Sequence, residues 1–117
     1  MMNEQNRKLV VKGRIWIDAG GDSFLGSGKV NLLRKTAELG SLRKAAIELN
    51  MSYRQAWYSL NQANKAAGTP LIVLQRGGKQ GGTAVITPFG SRVMEQFIRL
   101  ESEFQDFLSR QTELLKL

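Results

Sequence analysis

Residues 40–57 read Gly40-Ser41-Leu42-Arg43-Lys44-Ala45-Ala46-Ile47-Glu48-Leu49-Asn50-Met51-Ser52-Tyr53-Arg54-Gln55-Ala56-Trp57. Gly40 is a natural end for one helix, and Ser41 can cap the next by accepting from a first-turn amide. Leu42, Ala45, Ala46 and Leu49 then recur at i, i+3, i+4 and i+7, the apolar stripe of a short helix. Asn50 and Met51 make a turn. Ser52 opens the following helix, and Gln55 three residues on completes a capping box. Ala45 and Ala46 let that following helix pack close, as a helix-turn-helix needs if its second helix is to enter a DNA major groove.

The flanks on both sides extend this unit. Upstream, Lys29 to Leu39 is predicted helical, with Val30, Leu33 and Ala37 on one stripe and Leu32 and Thr36 beside it. Before it, Gly26-Ser27-Gly28 breaks the chain, and the alternation of Val11, Ile15 and Ile17 predicts a strand over Leu9–Asp18. Ala19-Gly20-Gly21-Asp22 turns that strand into a short return strand, Ser23–Leu25. Residues 1–12 read as a flexible polar arm. Downstream, the helix opened by Ser52 runs to about Ala67, with Ala56, Leu60, Ala63 and Ala67 facing inward, and Gly68 stops it.

Leu71–Leu74 and Ala84–Ile86 are apolar runs joined by the basic, glycine-rich Arg76-Gly77-Gly78-Lys79-Gln80-Gly81-Gly82, a second hairpin. Thr87-Pro88 starts the last helix, threonine as cap and proline in the first turn. Val93, Phe97, Leu100, Phe104, Phe107 and Leu114 run along it to about residue 115. At roughly 28 residues and about 42 Å it outruns a small domain. The expected fold class is therefore mainly α with small β-hairpins. It is a winged helix-turn-helix with a long C-terminal dimerisation helix, residues 1–117 forming one domain.

Charge points to a polyanion. Lys plus Arg number 17 against 10 Asp plus Glu, a net of +7, and no acidic residue stands between Glu48 and Glu95. Cations clustered on one segment release condensed counterions when they meet phosphates. Ser52, Tyr53, Arg54, Gln55, Tyr58 and Gln62 are the candidate DNA contacts on the reading helix, and Arg76, Lys79 and Gln80 on the wing. Arginine pairs bidentately with guanine and glutamine with adenine. Trp57 is read as a packing residue between helices, and Arg43 and Lys44 stay open between solvated charges and backbone contacts. Phe97, Leu100, Phe104 and Phe107 are the candidate dimerisation residues, because a stripe longer than its own domain needs a second surface.

Other classes lose their usual residues. There is no cysteine and no histidine, so no disulfide, and no metal or cofactor is expected. Gly26-Ser27-Gly28-Lys29 fails as a phosphate loop: Ser23 stands where its first glycine belongs and Val30 where the Mg²⁺-binding hydroxyl belongs. No enzyme activity is expected, and no apolar run is long enough for a membrane span, so a cytoplasmic protein is the expectation.

Gly40–Ala46 and Met51–Trp57 resemble the N-terminal DNA-binding domain of the molybdate-dependent regulators, the ModE family, a LysR-like winged helix-turn-helix. So do Gly13-Arg14-Ile15-Trp16-Ile17 and Gly81-Gly82-Thr83-Ala84-Val85-Ile86-Thr87 with Gly90, the whole spanning about residues 13–110. The resemblance implies a transcription regulator acting on double-stranded DNA, possessing two reading helices in a homodimer joined through the N-terminal hairpin and the last helix, and a pseudo-palindromic operator. It also implies a link to molybdate metabolism. Such regulators typically carry oxyanion-binding domains after the long helix, whereas this sequence stops at Leu117. No molybdate-binding domain is therefore expected in this chain, its effector is open, and DNA affinity should be indifferent to molybdate. The competing expectation is a protein-interaction module whose basic face binds nucleic acid without selectivity.

Overall fold

The computed structural model describes residues 7–75 and 82–116. Two antiparallel strands come first, β1 (Trp16–Ala19) and β2 (Asp22–Gly26). Gly20 and Gly21 between them have φ of 60° and 91°, the left-handed pair that a two-residue hairpin turn requires. Ile17 pairs with Leu25 but Asp18 pairs with Ser23, so Phe24 is bulged out of the ladder. The bulge lets Phe24 and Leu25, neighbours in sequence, both pack on the core.

The expected strand over Leu9–Asp18 is corrected to a start at Trp16. β2 ends at Gly26, the partner of Trp16, so nothing is left for residues 9–15 to pair with. Another support replaces the ladder. The Val11 amide donates to Thr112 Oγ1 at 2.8 Å, and a Cβ at Gly13 would stand 3.0 Å from the Phe104 ring and 3.8 Å from a Leu108 methyl. The later part of the expected flexible arm is thus laid along the last helix.

Four helices follow the hairpin, interrupted by the wing strands: α1 (Ser27–Leu39), α2 (Leu42–Glu48), α3 (Tyr53–Ala67), β3 (Ile72–Gln75), β4 (Thr83–Ile86) and α4 (Pro88–Leu114). α1 begins two residues before the expected Lys29. Its cap is Gly26, which offers no side chain, and the Ser27 hydroxyl donates instead to the carboxylate of Glu101 on α4. Leu25, Leu32, Leu33, Ala45, Leu60 and Phe97 are among the side chains sealed in the core between α1, α2, α3 and the hairpins. Thr36 is buried there, with its hydroxyl donating to Leu32 O at 2.7 Å, so it leaves no unmet polar group.

The wing is pinned at three places. Asn64 of α3 accepts from the amides of Leu71 and Ile72 and donates to Ile72 O, fastening the start of β3. The Ala84 amide donates to Gly40 O at 3.1 Å, tying β4 to the α1–α2 turn. Thr87 closes the junction. Its amide donates to Leu71 O, its hydroxyl donates to Pro70 O at 2.8 Å with Leu71 O at 3.1 Å beside it, and its oxygen accepts from the Gly90 amide as the α4 cap. Gly90 is required by close approach: a Cβ there would stand 1.9 Å from Leu71 O.

One dimerisation residue is corrected at this level. Phe97 is 1% exposed and sits in the domain's own core, where α4 packs on α1. Only the later part of the α4 stripe outruns the domain. Leu100 and Phe107 are 45% and 46% exposed, and Phe104 stacks on Phe107 with ring centroids 6.5 Å apart.

Candidate nucleic-acid interface

The turn between α2 and α3 sets the position of the reading helix. Asn50 has φ of 54°, and the Met51 amide donates to Ala46 O at 2.9 Å while the Asn50 amide donates to Ile47 O at 3.2 Å. This is a Schellman closure with asparagine in the place glycine usually takes. It spends the free carbonyls of α2 and swings the chain directly into the next cap. A Lys35–Glu48 ion pair at 3.3 Å and the Ser41 cap, accepting from the Lys44 amide, hold α2 in turn.

Both halves of the capping box anticipated at α3 form. Ser52 Oγ accepts from the Gln55 amide at 3.0 Å, and Gln55 Oε1 accepts from the Ser52 amide at 3.5 Å. Ala56, Leu60 and Ala63 are buried, which fixes the rotation of α3 about its axis. Ser52, Tyr53, Arg54, Gln55, Tyr58 and Gln62 are consequently all exposed, and no acidic residue lies anywhere on the helix. Tyr58 is 61% exposed, and its hydroxyl accepts from Gln62 Nε2 at 2.8 Å, so these two side chains form one unit on the outer face. Trp57 is partly buried against the core and is not on the exposed set, in keeping with its reading as a packing residue.

Arg76, Lys79 and Gln80 lie outside the described residues. β3 and β4 are in register from Ile72↔Ile86 to Gln75↔Thr83, so the chain leaves the ladder at Gln75 and returns at Thr83. Lys29 and Lys65 also line the reading-helix side of the domain, sharing a groove with Gln62 and Asp22. Sequence reasoning selected neither as a site residue. Lys65 was findable, because it follows Gln62 by three residues on the same helix face. Lys29 was not, because only the packing of β2 on α3 brings the start of α1 there.

A helix-turn-helix is also what the family comparison returns. A family model described as "Bacterial regulatory helix-turn-helix protein, lysR family" matches residues 28–91. The chain belongs to this family. The match begins in α1 and ends in α4, so it takes in the helix pair and both wing strands. Among curated relatives, the molybdenum transport protein ModE of Azotobacter vinelandii is 33% identical over 102 residues, covering 87% of this chain and 38% of the relative. The DNA-binding transcriptional dual regulator ModE of Escherichia coli K12 is 32% identical over 74 residues, covering 63% of this chain and 28% of the relative. The resemblance read from Gly40–Trp57 and the region around Gly90 is thus to the right group.

The chain spans about a third of the length of the curated relatives it matches. Among solved structures, the complex of the BenM DNA-binding domain with benA site 1 DNA superposes with a TM-score of 0.58 at 20% identity, covering 77% of this chain and 96% of that one. A ZitR variant from Lactococcus lactis gives 0.57 at 16% identity, covering 99% of this chain and 77% of that one. At these identities the two structures establish the shared winged-helix fold. No helix among the described residues is long and apolar enough to cross a membrane.

Proposed function

We propose that this chain is the DNA-reading domain of a transcription regulator, placing α3 in the major groove of double-stranded DNA. The observation that carries the reading is the outer face of α3. Its first turn is locked by the Ser52–Gln55 box, and it presents Tyr53, Arg54 and Tyr58 outward with no carboxylate on the helix. Arg54 and Gln55 are the base-reading residues in this account, and Lys79 in the wing is a phosphate contact. The domain is one unit over residues 1–117 and acts as a homodimer on a pseudo-palindromic operator, in the cytoplasm, where its DNA is. Trp16 of the N-terminal hairpin is 62% exposed, and with Leu100 and Phe107 it supplies the surface for the second copy. The relatives bear the names of regulators and molybdenum-handling proteins rather than enzymes, which supports a regulator linked to molybdate and without enzymatic activity.

Selection of duplexes from a random-sequence pool by the full chain tests the reading. It should yield a two-fold symmetric site, and Arg54→Ala should flatten the preference at one position in each half-site, worth about 1–3 kcal/mol. Binding that shows no sequence preference and vanishes at moderate salt would instead favour a protein-interaction module. Titrating the selected site with molybdate against sulfate at constant ionic strength then reads out any effector response of this chain.

A further inference from the structure

We propose that Lys29 and Lys65 form a second cationic contact for the DNA sugar-phosphate backbone, beyond the base-reading segment of α3. This rests on the reading of the chain as a DNA-binding domain. The two lysines stand far apart in sequence and reach one groove because β2 packs on α3. They share an open groove with Asp22, Ser23, Gln62 and Ala66.

Three observations assign the groove to DNA. Its wall is continuous with the outer face of α3: Gln62 lines it and donates to Tyr58, which lies one turn from Arg54. Both ammonium groups are uncommitted, since neither lysine is in an ion pair among the described residues. Asp22, the one carboxylate lining the groove, is not paired with either. Finally, Lys65 is eleven residues beyond Arg54, about 16 Å along a helix rising 1.5 Å per residue. With the first turn of α3 at the base edges, its far end is left to the flanking sugar-phosphate backbone. A lysine suits that position, being a compact charge on a flexible stem that needs no planar partner. The contact therefore adds affinity and fixes the tilt of α3 without adding sequence information.

The test uses the full chain, a duplex it selects from a random pool, and an unrelated duplex of equal length. Affinities of the parent and of a Lys29→Gln/Lys65→Gln variant are compared from about 50 to about 200 mM salt. The variant should bind both duplexes more weakly by the same factor, with an unchanged base-substitution profile. Each phosphate contact contributes a salt exponent of about 0.9, so over this fourfold range the variant should lose about 12-fold less affinity than the parent. Asp22→Asn should move affinity the opposite way, tightening both duplexes. Lys116→Gln, at the far end of α4, should leave the salt slope alone. An unchanged slope in the double variant, a profile altered at particular bases, or an equal effect of Lys116→Gln would overturn the assignment. If the parent itself selects no duplex, the DNA-binding reading falls first, and that result is distinct from a parent that selects and a variant that behaves identically.

Discussion

Gln55 is asked to do two things with one amide. Its Oε1 closes the capping box on the Ser52 amide, and its Nε2 has no partner among the described residues. A bidentate contact to adenine turns both atoms to the base edge, so reading that base competes with the 3.5 Å half of the box that Gln55 supplies. Gln55→Glu separates the roles, because glutamate serves the box equally well but cannot donate. We expect its unfolding free energy in urea titration to stay within about 0.5 kcal/mol of the parent, while the base-substitution profile changes at one position per half-site. A profile identical to the parent's would leave Gln55 as a cap alone. At this scale much was legible beforehand. Ser41, Ser52 with Gln55, and Thr87 declare themselves because a cap is a contact within three residues. The turn at Asn50 was placed, but its left-handed backbone was not, since an asparagine there competes with several other turn geometries.

Elements were harder to bound where their support comes from elsewhere in the chain. Alternation at Val11, Ile15 and Ile17 is a sound strand signal, yet a strand lasts only as long as its partner, and β2 stops at Gly26. The start of α1 is a second case. It has a glycine cap and no acidic residue in its first turn, so nothing local completes it. Glu101, 74 residues away on α4, brings a carboxylate to the Ser27 hydroxyl, and no pattern in the sequence links the two. A negative charge beside a helix N-terminus contributes about 0.3–1 kcal/mol. Glu101→Ala should therefore lower stability by about 0.5–1 kcal/mol in urea unfolding, with Ser27→Ala giving no further loss in the double variant. Additive losses would show that the two side chains act separately.

For the whole molecule, the α4 stripe is buried at Phe97 and half exposed at Leu100 and Phe107, a division that its periodicity could not show. A 4-3 repeat says which face is apolar, not where the domain beneath it ends, and so Phe97 looked equivalent to Leu100 and Phe107. The difference has an experimental signature. Leu100→Glu with Phe107→Glu should give a folded monomer by sedimentation at micromolar concentration, since both side chains are half exposed in the single chain. Phe97→Ala should instead cost about 3–5 kcal/mol of stability by emptying the core. A folded dimer in the first variant would remove α4 from the interface. The Thr87 junction carries a further consequence. β4 ends at Ile86 and α4 begins at Pro88, with Thr87 bonded to Leu71 and Gly90, so the reading head runs without a linker into the helix proposed above to join two copies. Such a dimer is a rigid caliper, and it measures the rotation between half-sites as well as their distance. Each base pair inserted between them turns one half-site by roughly 34–36° about the duplex axis. Inserting about two should reduce binding to that of a lone half-site, and a full turn of about ten should fail to restore it, whereas a hinged protein would recover.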